Sequence, residues 1–224
     1  MREIILADTA DLVASYISAI STLIAVILAL FLQVILVRLR RPGLFVTFSD
    51  EPASTDLTSV ESVDKSDYWI HVKVWNRKGR SAARNAEAFV IRVIRPESSP
   101  NEGNVPATPL GWCHLKDPQI DIPSGIYRSL DVVRYCKERT ESSDTYLICA
   151  WPGRRTWPPR ERDRLTGPGC YEVHFAITCD EAEPSFWCLS FTFAPCTAQS
   201  AMELGQQISD IRLRELPPRD AAAY

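Results

Sequence analysis

Apolar positions are arranged along this chain in two different ways. From Leu12 to Val37, roughly 26 residues pass without a charge before Arg38, Leu39, Arg40 and Arg41 close the run. A helix of that length rises about 39 Å against about 30 Å of bilayer hydrocarbon, so it spans with tilt to spare. No polar stripe of ordinary width divides it, which argues against a buried soluble helix. About sixteen Leu, Ile, Val and Phe residues, at roughly −0.3 to −0.6 kcal/mol each on an insertion scale, outweigh its serines and Gln33. A signal-peptide core has about 7–15 apolar residues and is followed by a small-residue cleavage site; neither property fits here.

Beyond Pro42 the pattern changes to short apolar runs separated by turn residues. Gly43 to Phe48 reads as a first strand, entered through the Pro42-Gly43 break. Ser49 to Asp67 is acidic and rich in Ser and Thr, and reads as a flexible loop. Tyr68 to Asn76 is the clearest strand, because Ile70, Val72 and Val74 alternate with Trp69, His71, Lys73 and Trp75. Asn85 to Arg95, Leu110 to Leu115, Tyr127 to Cys136, Thr145 to Trp151, Gly169 to Thr178 and Phe186 to Ala194 read as further strands. Turns fall at Lys78-Gly79, at Ile122-Pro-Ser-Gly125 and at Gly167-Pro-Gly169. Short strands without intervening helices predict a mainly β fold: an Ig-like antiparallel β-sandwich, with a partly open barrel as the alternative. Ser200 to Leu216 predicts a short C-terminal amphipathic helix, stopped by Pro217 and Pro218. The implied organisation is an N-terminal tail (1–11), a transmembrane helix (12–37), a basic juxtamembrane linker (38–42), a β-sandwich (43–198) and a C-terminal helix and tail (199–224).

Charge adds orientation. Arg2 stands beside Glu3, Asp8 and Asp11 on one side of the apolar run, whereas Arg38, Arg40 and Arg41 crowd the other. The positive-inside rule then puts a single-pass protein in the cell inner membrane with its N-terminus outside and the large domain in the cytoplasm. The net charge of −3 gives no global attraction for nucleic acid, and none is expected as a partner. Seven cysteines, an odd number without a tight pairing pattern, sit partly in strand-like runs and suit a reducing compartment. The chain has no Asn-x-Ser/Thr acceptor, which also fits a cytosolic domain.

The pattern Val-Lys-Val-Trp-Asn76, followed by Gly79, Ala83 and Asn85, resembles membrane-anchored bacterial Ig-like β-sandwich proteins of unassigned function. The segments Ile-Asp-Ile-Pro-Ser-Gly-Ile-Tyr-Arg-Ser-Leu-Asp131 and Gly169-Cys-Tyr-Glu-Val-His-Phe175 extend the similarity to about half of the chain. The resemblance implies a fold and brings no catalytic residues with it.

Two constellations carry candidate contacts. Ser15, Ser18, Thr22, Ala25 and Ala29 recur at spacings of three and four, a small-residue seam on which two membrane helices can approach closely. Trp151, Arg154, Arg155, Trp157, Arg160, Arg162 and Arg164 form a second, an Arg/Trp-rich stretch opposed only by Glu161 and Asp163. Arginine forks and indole faces suit anionic headgroups, an acidic protein or a phosphorylated signal; the bland alternative is a solvated, Pro-rich connection. His71, His114 and His174 fall in separate strand-like segments, and Cys113-His114 is not a zinc spacing, so no metal, cofactor or catalytic set is assigned. Asp117, Asp121 and Asp131 read as turn and strand-end residues, and no nucleophile motif is present, so no enzyme is expected. The implied function is a single-pass membrane protein displaying a cytosolic β-sandwich as a protein-interaction or sensor module, in contact with the bilayer, a protein partner and a second copy through the helix seam. The alternative is a membrane effector, for example in bacterial defence, that senses a phosphorylated ligand through the Arg/Trp stretch. A membrane-bound hydrolase ranks last.

Overall fold

The computed structural model describes residues 2–49, 56–61, 65–94, 104–115, 117–138, 145–149, 164–165, 168–194 and 201–217. The chain divides into two compact units, Met1–Arg41 and Pro42–Tyr224. The first is a single helix, α1 (Arg2–Arg40). It runs past both ends of the apolar stretch because a helix already nucleated gains one bond per residue added. Its last i→i−4 bond joins the Arg41 amide to the Val37 carbonyl (3.2 Å), and Pro42, which has no N–H, ends it. Within α1, Ala14–Arg40 has a mean hydropathy of 2.8 over its most apolar window, none of which is buried. It is long and apolar enough to cross a membrane.

The second unit is built from strands, which take 56% of the described residues. In chain order these are β1 (Leu44–Thr47), β2 (Leu57–Glu61), β3 (Lys65–Asn76), β4 (Ala83–Ile94), β5 (Asn104–Pro109), β6 (Gly111–Trp112) and β7 (Ile120–Ile122). Next come β8 (Tyr127–Glu138), β9 (Thr145–Cys149), β10 (Arg164–Leu165), β11 (Gly169–Cys179), β12 (Ala182–Phe193), helix α2 (Ala201–Gln206) and β13 (Ile208–Leu216). They form two antiparallel sheets. The first runs β1-β3-β8-β9-β10, with β2 on β3 and β6 on β8; the second runs β13-β12-β11-β4-β5, with β7 on β4. Among the described residues there is no closed barrel.

Period-two alternation decides which face is core. Ile70, Val72 and Val74 of β3 and Leu130 of β8 are fully buried, as are Val173, Phe175 and Ile177 of β11 and Leu189 of β12. All belong to one apolar cluster shared by both sheets. The Tyr135 ring meets the edge of Phe193 at 5.0 Å, joining the layers. Each such side chain contributes about 1.5–3 kcal/mol by leaving water.

Two segments differ from the sequence expectation. The stretch 49–67, read as loop, contains β2, a polar edge strand paired along β3 from Leu57↔Ile70 to Glu61↔Ser66. Such a strand needs only its backbone to pair, so apolar alternation does not betray it. The C-terminal helix read over 200–216 is confined to α2; the remainder is β13, an edge strand on β12. Asp210, at φ 52°, takes the left-handed conformation where the pairing shifts register, which moves Ile211 and Leu213 out of simple alternation. Gly205 of α2 packs so tightly on the Tyr68 ring that a Cβ there would overlap it.

The residues that carry the family resemblance turn out to hold turns together. Asn76 is 1% exposed and its amide nitrogen donates to the carbonyls of Ser81 (2.8 Å) and Ile122 (3.0 Å). Its Oδ1 accepts from the Gly43 amide (3.2 Å). Gly79 (φ 80°) donates its N–H to Ser124 Oγ, and Gly125 (φ 73°) donates to the Asn76 carbonyl. Asn85, also left-handed at φ 49°, donates from Nδ2 to Asp180 Oδ2 (2.7 Å).

Candidate functional site

The outward face of the first sheet holds a run of polar and aromatic side chains, of which Asp67, His71, Asp131 and Arg134 are nearly as buried as the core. On β3 the outward positions are Asp67, Trp69, His71, Lys73 and Trp75, because Tyr68, Ile70, Val72 and Val74 point inward. On β8 the alternation slips: Ile70 pairs with Val133, but His71 pairs with Asp131, leaving Val132 as an extra residue. Val132 and Val133 are consequently both buried, and the bulge sets Asp131 and Arg134 on the outward face opposite His71 and Trp69. Asp131 is therefore a mid-strand residue with a partner, not the strand-end residue that its sequence neighbourhood suggests.

These groups satisfy one another pairwise. Nδ1 of His71 donates to Asp131 Oδ1 at 2.7 Å. Arg134 forks onto Asp67, with Nη2 at 2.8 Å from both carboxylate oxygens and Nε at 3.1 Å from one. Lys73 Nζ lies 2.9 Å from Asp56, whose other oxygen accepts from the Ser49 amide. Trp69 stacks on the His71 imidazole (6.2 Å, 8°), and the Arg134 guanidinium lies 4.9 Å from the Trp69 ring centre. Trp75 donates its indole N–H to Thr47 Oγ1 and packs between Phe45 and Tyr127. Trp69 and Trp75, which alternate with the core positions of β3, thus each lie against local partners on the sheet.

Cys113 comes directly after β6, whose Gly111 pairs with Asp131 and whose Trp112 is core. The same alternation turns the Cys113 thiol outward to the Asp131 carboxylate. Burial, together with the charge and hydrogen bond of Asp131, pushes the thiol up to about 11, so it stays protonated. One ligand atom each from His71, Cys113 and Asp131 lies within 4.8 Å of the others, a donor set able to hold a metal ion. The aspartate stands between the imidazole and the thiol. A nucleophilic relay needs the imidazole in the middle, so this order suits binding rather than thiol attack.

A second group sits on the outward face of the second sheet. His174 of β11 pairs across to Cys188 of β12, and Cys188 to Arg214 of β13. Glu172 Oε2 accepts from His174 Nε2 (3.0 Å), the Cys188 thiol (3.7 Å) and Arg214 Nη2 (3.3 Å). Burial, followed by the Glu172 charge, pushes the Cys188 thiol up to about 11. Burial works against ionisation of Glu172, but the hydrogen bond from His174 and the charges of Arg214 and His174 win and hold its carboxyl below the usual range. Glu172, His174 and Cys188 also lie close enough to share an ion.

The other sequence candidates fall elsewhere. Ser15, Ser18, Thr22, Ala25 and Ala29 all lie on α1, and the described side chains there are exposed. The Thr22 hydroxyl donates to the Ser18 carbonyl (2.9 Å), so it is satisfied within its own helix. Of the Arg/Trp stretch, Trp151, Arg154, Arg155, Trp157, Arg160 and Arg162 lie outside the described residues; Arg164 opens β10, opposite Ile148. His114 is exposed at φ 63°, apart from both groups. Asp117 closes a turn onto the Gln119 amide, and Asp121 accepts from the Asn85 amide.

Neither histidine group was legible as a site in the sequence. His71, Cys113 and Asp131 lie 42 and 18 residues apart along the chain and Cys188 lies 14 residues beyond His174, so only strand register brings each group together. The one available signal was the Leu130-Asp-Val-Val-Arg134 phase break that marks the bulge. No family model, no curated protein and no solved structure matches the chain.

Proposed function

We propose that the protein is a single-pass inner-membrane protein that displays its β-domain in the cytoplasm as a protein-interaction or sensor module. The observation that carries this reading is α1: a window of mean hydropathy 2.8 with none of it buried, which lipid would cover and water would not tolerate. The basic cluster Arg38, Arg40 and Arg41 at its C-terminal end supports a cytoplasmic position for the β-domain. A binding role, rather than catalysis, is supported by the order of groups around Asp131. The surface favoured for contact is the outward face of the first sheet at Phe45, Trp75 and Tyr127, where Lys73 and Arg77 lie over aromatic rings at 5.6 and 5.9 Å. Aromatic side chains and arginine grouped in this way are favoured in the centres of protein interfaces. A photoreactive residue at exposed Tyr127 in intact cells tests it, with Glu183 at the far hairpin as the control. A discrete adduct from position 127 and none from 183 is expected. Equal labelling at both positions, or none at either, contradicts an interaction face there.

A further inference from the structure

We propose that His71, Cys113 and Asp131 form a three-ligand site for a thiophilic divalent transition-metal ion of the zinc class, with its fourth coordination position open. The site lies on the same outward sheet face as the interaction surface, one outward position from Lys73 on β3, and does not depend on how the helix is inserted.

The donor set selects the ion. A thiolate, an imidazole and a carboxylate together match a zinc-class ion and are poor for magnesium or calcium, which take oxygen ligands. The three ligand atoms come from the neighbouring strands β3 and β8 and from the residue that follows β6, and lie within 4.8 Å of one another. A tetrahedral ion about 2.0 Å from nitrogen and oxygen, and about 2.3 Å from sulfur, holds its ligand atoms roughly 3.3–3.6 Å apart. Seating it between Nδ1 and Oδ1, now 2.7 Å apart, requires these two to spread by about half an ångström. The thiol proton leaves to solvent, the Nδ1 proton of the neutral imidazole is replaced by one on Nε2, and the Nδ1–H···Oδ1 hydrogen bond gives way to the bonds to the ion.

The surroundings favour this group over its counterpart. The cations that share this outward face on β3 and β8 are already engaged: Lys73 on Asp56 and Arg134 on Asp67. In the second group Arg214 occupies Glu172 Oε2, the oxygen that also faces His174 and Cys188, and its charge opposes an ion there. The Trp69 ring lies parallel to the His71 imidazole at 6.2 Å and covers it on one side. Access is one-sided. His71 is 5% and Asp131 8% exposed, whereas Cys113 is half-buried, which leaves the approach on its side.

The test is titration of the reduced, metal-free, full-length chain in detergent with Co²⁺. One equivalent should bind with intense tetrahedral d–d bands and a thiolate-to-cobalt charge-transfer band, and Zn²⁺ should displace it. Cys113→Ser should abolish the charge-transfer band and Asp131→Asn should weaken binding, while Cys188→Ser keeps the band. Zn²⁺ should raise the unfolding temperature of the wild type and of Cys188→Ser but not of Cys113→Ser. Matching far-UV circular dichroism of the apo proteins excludes misfolding as the reason. No thiolate band in the wild type, or a band that survives Cys113→Ser, overturns the site.

Discussion

Arg134 of β8 and Asp67 of β3 form a forked ion pair on the outward face of the first sheet, with only 8% and 5% of their side chains exposed. The pair exists because the Val132 bulge reverses the facing of β8 midway along the strand. A buried pair of this kind contributes little relative to well-packed apolar residues, but removing one partner leaves the other charge stranded. Asp67→Ala should therefore cost about 3–5 kcal/mol, and the double change Asp67→Leu with Arg134→Met should recover most of it. Urea unfolding of the full chain in detergent reads both. A single variant within about 0.5 kcal/mol of wild type would show that water, rather than Arg134, solvates Asp67.

Asn76 offers a sharper test, since its side chain joins β1, the turn after β3 and β7. Asn76→Ala leaves the Gly43 amide and two carbonyls without their partner and should cost about 3 kcal/mol. Asn76→Asp keeps an acceptor for Gly43 but points a carboxylate at the carbonyls of Ser81 and Ile122. It should be the more damaging change at neutral pH, although it is the closer isostere. The same unfolding curves decide; an aspartate variant more stable than the alanine one contradicts the donor assignment.

Acid should reach the second sheet through Glu172. Its folded carboxyl is held below the ordinary value of 4.5, so it contributes stability above that pH and loses it as pH falls through the lower, folded value. Wild type should exceed Glu172→Gln in stability at pH 7, and the gap should close as pH drops below about 4.5. Thermal unfolding of both proteins across that range measures it. A gap that does not change with pH would mean that the carboxylate is not favoured by His174 and Arg214.

The small-residue face of α1 should mediate contact between two copies. Replacing Ala25 and Ala29 with Ile fills the face with branched side chains and should lower self-association of the helix in a bilayer dimerisation assay at least several-fold. The Thr22→Val change should matter much less, because its hydroxyl is already bonded to Ser18. Association unaffected by the double Ile change would remove the seam.

Much of the fold can be read from local pattern. The alternation of Ile70, Val72 and Val74 shows which side of β3 is core, and Pro42 marks where helix gives way to strand. What local pattern does not carry is register. β2 pairs through its backbone with few apolar residues to announce it, and β13 reads as a broken helix because Asp210 shifts the phase of Ile211 and Leu213. The His71 group depends on one extra residue in β8. Without that bulge Asp131 and Arg134 would lie on opposite faces of β8, and nothing in the spacing of His71 and Asp131 along the chain links them.

The orientation of the anchor is tested most directly by protease treatment from each side of the membrane. Intact spheroplasts and inverted inner-membrane vesicles carrying the full chain would be digested and probed with an antibody to the β-domain. The predicted result is a carbonate-resistant protein whose domain survives in spheroplasts and is degraded in inverted vesicles. Release of the whole chain by carbonate, or loss of the domain from intact spheroplasts, would contradict it.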